Sequence, residues 1–138
     1  MTLRADKRDY KQGFKKHYHA YKYWGDAGSI ISKQMILVYC VECGLKYLLM
    51  EQERISVVAE ARQDIQKKLK CHDFQMLLKS IHRTEYCFPT IRTKHDEPIQ
   101  PDNYHQACRY AICQDDDNHA KYCAVLQEVS EWINERVI

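Results

Sequence analysis

The chain has 138 residues, enough for one compact domain over 1–138 and too few for a second domain with its own core. Apolar types make up 45% and charged types 29%, the balance of a globular chain rather than a disordered one, and four Gly and three Pro are too few for the turns of an all-β or a doubly wound α/β fold. A net charge of +2 excludes a uniformly basic nucleic-acid glove; no run of eighteen uncharged apolar residues exists for a membrane span, and MTLRADKRDYKQ has no apolar core after its charges, so a cytoplasmic location is expected.

Residues 3–24 read as a helix. Tyr10, Phe14, His17, Tyr18, Tyr21 and Trp24 recur at spacings of three and four and form one aromatic stripe. Arg4, Arg8, Lys11, Lys15 and Lys22 fall beside it. Residues 1–24 hold seven Lys/Arg against two Asp, a local net charge of +5, while the remainder is net −3. The ordinary reading is a set of basic side chains snorkelling along the rim of a packed aromatic face. The functional reading is a phosphate-contacting, nucleic-acid-binding ridge with aromatics nearby for stacking.

Gly25-Asp26-Ala27-Gly28-Ser29 breaks the helix, and Ser29 is expected to cap the next one. From Ile30 to Met50 apolar residues occupy almost every face, which predicts a central, buried helix. Glu42 and Lys46 interrupt it at i,i+4, in the favourable order for an ion pair. Residues 54–69 read as an amphipathic helix, with Ile55, Val58, Arg62, Ile65 and Leu69 on its inner side. His72 and Asp73 then start a short helix bearing Phe74, Leu77, Leu78 and Ile81.

Residues 83–101 lose periodicity and hold all three prolines, so a long loop is expected there. Asp102 is expected to cap a helix with Tyr104, Ala107, Cys108, Ala111 and Ile112 inward. After the acidic turn Asp115-Asp116-Asp117, Asn118 is expected to cap a last helix burying Tyr122, Val125, Leu126, Val129, Trp132 and Ile133. Five or six helices without a strand predict an all-α, up-and-down antiparallel bundle.

Seven cysteines, an odd number without a secretion signal, read as reduced thiols. Cys40 and Cys43 form a C-x-x-C pair inside an apolar run; the redox motif needs a strand before it and a helix N-terminus that lowers a thiol pKa, so two core thiols one helical turn apart are expected. Cys108, Cys113, His119 and Cys123 make a looser C-x4-C-x5-H-x3-C cluster. Structural zinc prefers knuckles of two close cysteines, and helix-packing thiols are the expectation, with no metal and no cofactor. No phosphate-binding glycine loop, dinucleotide fingerprint or serine nucleophile elbow is present.

Several segments taken together resemble a known family. An aromatic first helix leads through an Ala/Gly break to a buried helix carrying VECGLKYLLM, with Glu42, Leu45 and Lys46. A His72-Asp73-Phe74 helix start follows in CHDFQMLLK, and Arg109-Tyr110 lies in a later helix. This order, spanning roughly residues 5–136, resembles HEPN domains, the small all-α bundles of prokaryotic defence and toxin–antitoxin systems. The resemblance implies a bundle that dimerises or binds a partner protein encoded nearby.

Catalytic members of that family are metal-independent endoribonucleases with an Arg followed four to six residues later by a His. The Arg stabilises phosphate charge while the His moves a proton. That spacing is absent here: Arg109 to His119 is too long, Arg92 to His95 too short, and His105 precedes Arg109. The resemblance therefore implies a non-catalytic interaction module. The alternative is a divergent ribonuclease with His105 as proton carrier, Arg109 as phosphate clamp and Tyr110 as hydroxyl donor, its RNA guided by the basic ridge. Glu42, Lys46, His72 and Asp73 are the other polar constellation, for which the ordinary reading is a capped helix tied to a core salt bridge.

Overall fold

A computed structural model of the chain describes residues 5–25, 28 and 30–137. It contains α1 (Lys7–Lys22), α2 (Ile30–Glu53), α3 (Gln63–Lys70), α4 (Phe74–Ser80), α5 (Tyr104–Arg109) and α6 (Asp117–Arg136), with short 3-10 turns at Val58–Glu60 and Pro101–Asn103. The protein is an all-α helical bundle; no strand occurs among the described residues, and no helix there is long and apolar enough to cross a membrane.

The bundle is built on α2, whose Leu37, Val38, Cys40, Val41, Leu45, Leu49 and Met50 are all buried. Helix α1 lies antiparallel along it: Lys7 pairs with Glu51, Lys11 sits over the Tyr47 ring, and Lys33 over the Tyr21 ring. Two glycines set the spacing. A Cβ on Gly13 would come within 2.9 Å of Cys43 Sγ, and one on Gly44 within 2.7 Å of Ile133 and 2.8 Å of Phe14. Gly44 is thus where α1, α2 and α6 meet. Helix α6 runs antiparallel to α1, joined by Tyr18 and Lys22 to Glu131 and by Gln127 to Tyr21. Helices α3 to α5 return the chain across the remaining side, contributing Ile65, Leu69, Phe74, Leu77, Leu78 and Tyr104 to the same core.

Several local expectations are corrected. The α2 helix is not shielded throughout: Ile30 is 76% and Ile31 51% exposed. Residues 54–69 do not form one helix. Arg54 adopts a left-handed φ of 56°, a 3-10 turn follows, and α3 starts only at Gln63. Arg62, expected inward, is exposed and paired with Glu53 and Asp64. Asp102 does not cap α5; it accepts the His72 N–H at 2.8 Å. Asp116, not Asn118, caps α6 by accepting the His119 N–H at 2.9 Å. The expected capping Ser29 lies outside the described residues, as does Arg4 of the basic ridge.

The 83–101 segment carries no helix or strand before the 3-10 turn that begins at Pro101, yet it is tied down. Gln75 brackets it, donating to Tyr86 O and accepting from Phe88 N–H. Ile91 is buried, and isolated antiparallel bridges join Arg92 to Pro98 and Thr93 to Cys113.

Gly44→Ala tests the helix crossing. Helix propensity favours Ala, but the added methyl has no room, so a loss of about 1–3 kcal/mol is expected in urea unfolding. Gly25→Ala, with nothing within 4 Å of a Cβ, should stay within about 0.5 kcal/mol of the parent.

Candidate functional site

Two groups of polar side chains converge, on adjacent parts of the bundle. The first joins residues from α2, the start of α4 and α5. His72 Nδ1 lies 2.5 Å from Glu42 Oε1, and Lys46 Nζ 3.7 Å from Glu42 Oε2. A carboxylate only accepts, so His72 carries its hydrogen on Nδ1. Lys46 is among the few buried charged side chains, at 5% exposure, and Glu42 is the carboxylate that offsets its burial. Asp73 caps α4 by accepting the Met76 N–H at 3.1 Å.

The His105 ring lies against His72 at a tilt of 33°, with centroids 4.0 Å apart. The structure thus brings His105 against the Glu42–His72 pair, a contact that sequence spacing did not indicate. Burial lowers the His105 pKa below its ordinary 6.5; the neighbouring His72 and Arg109 charges push the same way, against Glu42 and Asp102. Its Nδ1 is buried without a hydrogen-bond partner. Arg109 and Tyr110 follow on the exposed end of α5, Tyr110 at 67% exposure. Two rings with centroids 4.0 Å apart leave no space for a phosphate between them, as in-line cleavage with acid and base on opposite sides would need.

The basic ridge is divided. Lys22 is ion-paired with Glu131 at 2.9 Å and Lys11 lies over Tyr47, whereas Arg8 and Lys15 are exposed.

The second group lines a cavity of about 550 Å³ between the start of α2, α5 and α6. Its walls carry Ile30, Ile31 and several alanines, and Cys108, Cys113, His119 and Cys123 all reach it. The Tyr104 hydroxyl lies 3.1 Å from His119 Nε2 and 3.8 Å from Cys123 Sγ, and Cys123 Sγ lies 3.7 Å from His119 Nε2.

The Cys113 hydrogen bond lowers the Cys108 pKa against the effect of burial, and His119 and Tyr104 lower it further. Hydrogen bonds to Cys108 and then Cys123 raise His119 to about 10. The hydrogen bond to Cys108, with burial, raises Cys113.

The spacing that suggested zinc is not drawn together as a ligand set. No group of three or more His, Cys, Asp or Glu among the described residues is placed to hold a metal, and the Tyr104 hydroxyl bonds to both His119 and Cys123. The C-x-x-C pair behaves as core thiols: burial raises both, Cys43 to about 11.

No protein-family model matches the chain, and neither a curated protein nor a solved structure matches it.

The burial of His105 has a measurable consequence. A histidine with a lowered folded-state pKa contributes stability that is complete above its unfolded value of 6.5 and is lost as pH falls through the folded value. The unfolding midpoint should fall between pH 7 and pH 5, and fall less in His105→Asn. An NMR titration placing the His105 ring above 6.5 would contradict this.

Proposed function

We propose that the protein is a non-catalytic, HEPN-like helical interaction module whose partner is a second copy of this chain, in the setting of a prokaryotic defence or toxin–antitoxin system. The observation that carries the reading is the exposed apolar group at the tip of the α1–α2 hairpin: Tyr23 at 77%, Ile30 at 76% and Ile31 at 51% exposure. Large apolar side chains gathered in this way mark contact surfaces.

Charge supports self-association over an unrelated partner. Residues 1–24 are net +5 and the rest of the chain net −3. The basic α1 lies beside α6 with its Glu128, Glu131 and Glu135, linked through Lys22–Glu131. A two-fold contact needs a self-complementary patch, which a basic helix next to an acidic one supplies. The Glu42–Lys46–His72 junction also fits a structural role, since its charges are satisfied by one another.

A divergent, metal-independent endoribonuclease acting on RNA is the second reading. The convergence of His105 with Glu42 and His72 favours it; the direct contact of the two imidazole rings counts against it. It requires cleavage of RNA in EDTA that disappears in His105→Ala.

Sedimentation equilibrium tests the first reading. A dimer is expected, weakened at least about tenfold (roughly 1.4 kcal/mol) by Ile30→Asp with Ile31→Asp, with the circular-dichroism melt unchanged. A protein that stays monomeric near 100 μM overturns it.

A further inference from the structure

We propose that Cys123 is a covalent attachment site for small, uncharged α,β-unsaturated carbonyl compounds that enter the cavity between α2, α5 and α6. Three observations carry this. His119 and Cys123 stand one turn apart on α6, with Cys123 Sγ 3.7 Å from His119 Nε2, a nucleophile within reach of a base. The Tyr104 hydroxyl meets both, at 3.1 Å from Nε2 and 3.8 Å from Sγ, so it can donate to the sulfur once the thiol proton has moved to the imidazole. The cavity holds about 550 Å³, within the range of small-molecule sites, and two of its lining residues, Asp115 and Ala120, are exposed, so it opens to solvent.

Cys108 and Cys113 line the same cavity, yet Cys123 is the thiol the geometry selects. Cys108 is only 5% exposed, and an electrophile must reach the sulfur. Cys123 is half-buried, and its sulfur meets both the imidazole and the hydroxyl. Reactive thiols sit in such partly exposed places beside a basic group. The walls choose the electrophile. Ala107, Ala111, Ala120 and Ala124 make them small and apolar, and the opposite charges of Lys94 and Asp115 give no net attraction for an ion.

The chemistry is a conjugate addition. The Cys123 proton passes to His119 Nε2, and the thiolate attacks the β-carbon of the conjugated double bond. A C–S bond forms, the carbon–carbon π bond breaks, and its electron pair moves to the carbonyl as an enolate. The α-carbon then takes the proton from His119, which returns to its neutral form. Sulfur and hydrogen have added across the double bond; nothing is oxidised or reduced, and no group leaves.

Peptide mapping reads the result directly, because trypsin separates Cys87, Cys108, Cys113 and Cys123 onto Thr84–Arg92, His95–Arg109, Tyr110–Lys121 and Tyr122–Arg136. The probe is N-ethylmaleimide, an uncharged α,β-unsaturated carbonyl compound, at half an equivalent on the reduced full chain. Cys123 should be labelled at least about tenfold faster than the exposed Cys87, as expected of a thiol beside a base. In His119→Asn the Cys123 rate should fall at least about tenfold, with the Cys87 rate unchanged. Three results overturn the proposal: Cys123 labelled no faster than Cys87, a first adduct on Cys108 or Cys113, or a Cys123 rate that survives His119→Asn. The first measurement uses the unaltered chain, so a folding defect in the variant cannot obscure the outcome.

Discussion

The close approach of three helices at Gly44 is the constraint on which the molecule depends. Without a side chain at that point, α2 lets Phe14 of α1 and Ile133 of α6 come within a distance that any Cβ would forbid. Dispersion falls steeply with separation, so spreading the helices by even an ångström would weaken contacts along their whole length. Gly13, next to Phe14 on α1, repeats the device against Cys43. This packing sets the position of α6, and α6 in turn positions His119 and Cys123.

The same central helix creates the polar junction. Lys46 is carried inward by a helix that must bury its other faces, and a buried ammonium must have a counter-charge. Glu42, one turn earlier, supplies it, and the second carboxylate oxygen is then free to hold His72. That hydrogen bond links α2 to the start of α4, and the His72 N–H to Asp102 links α4 to the start of α5. A charge that helical periodicity places in the core thus orders three otherwise weakly connected segments.

Much of this was legible in the residues. Apolar side chains on every face of 30–50 marked the central helix, and the i,i+4 Glu–Lys spacing marked the ion pair. Asp73 was readable as a cap because its side chain serves its own helix. Asp102 and Asn118 were not, since each lies among other residues of capping type and tertiary contact decides which one is used. The end of α2 was hidden for another reason: Arg54 holds a left-handed conformation that usually announces itself as Gly or Asn. The contact of His105 with His72 is set by how α5 docks on α4, which no local pattern encodes. The cysteine spacing was visible, but the Tyr104 hydroxyl among the thiols was not.

Helix α5 shows how these levels join. Six residues are too few for a helix to persist alone, so its order comes from its surroundings. The Tyr104 ring packs on Tyr122, and Phe88 from the long loop stacks on Tyr122 in turn. At the other end, the Ala111 turn and the Thr93–Cys113 bridge pin the exit to the same loop. Tyr104 and Cys108, one turn apart, lie on the side of the cysteine group; His105, one residue after Tyr104, lies against the polar junction. A single short helix thereby carries both groups of chemistry-bearing residues, and the proline-rich segment that looked like a mere connection is what holds that helix in register.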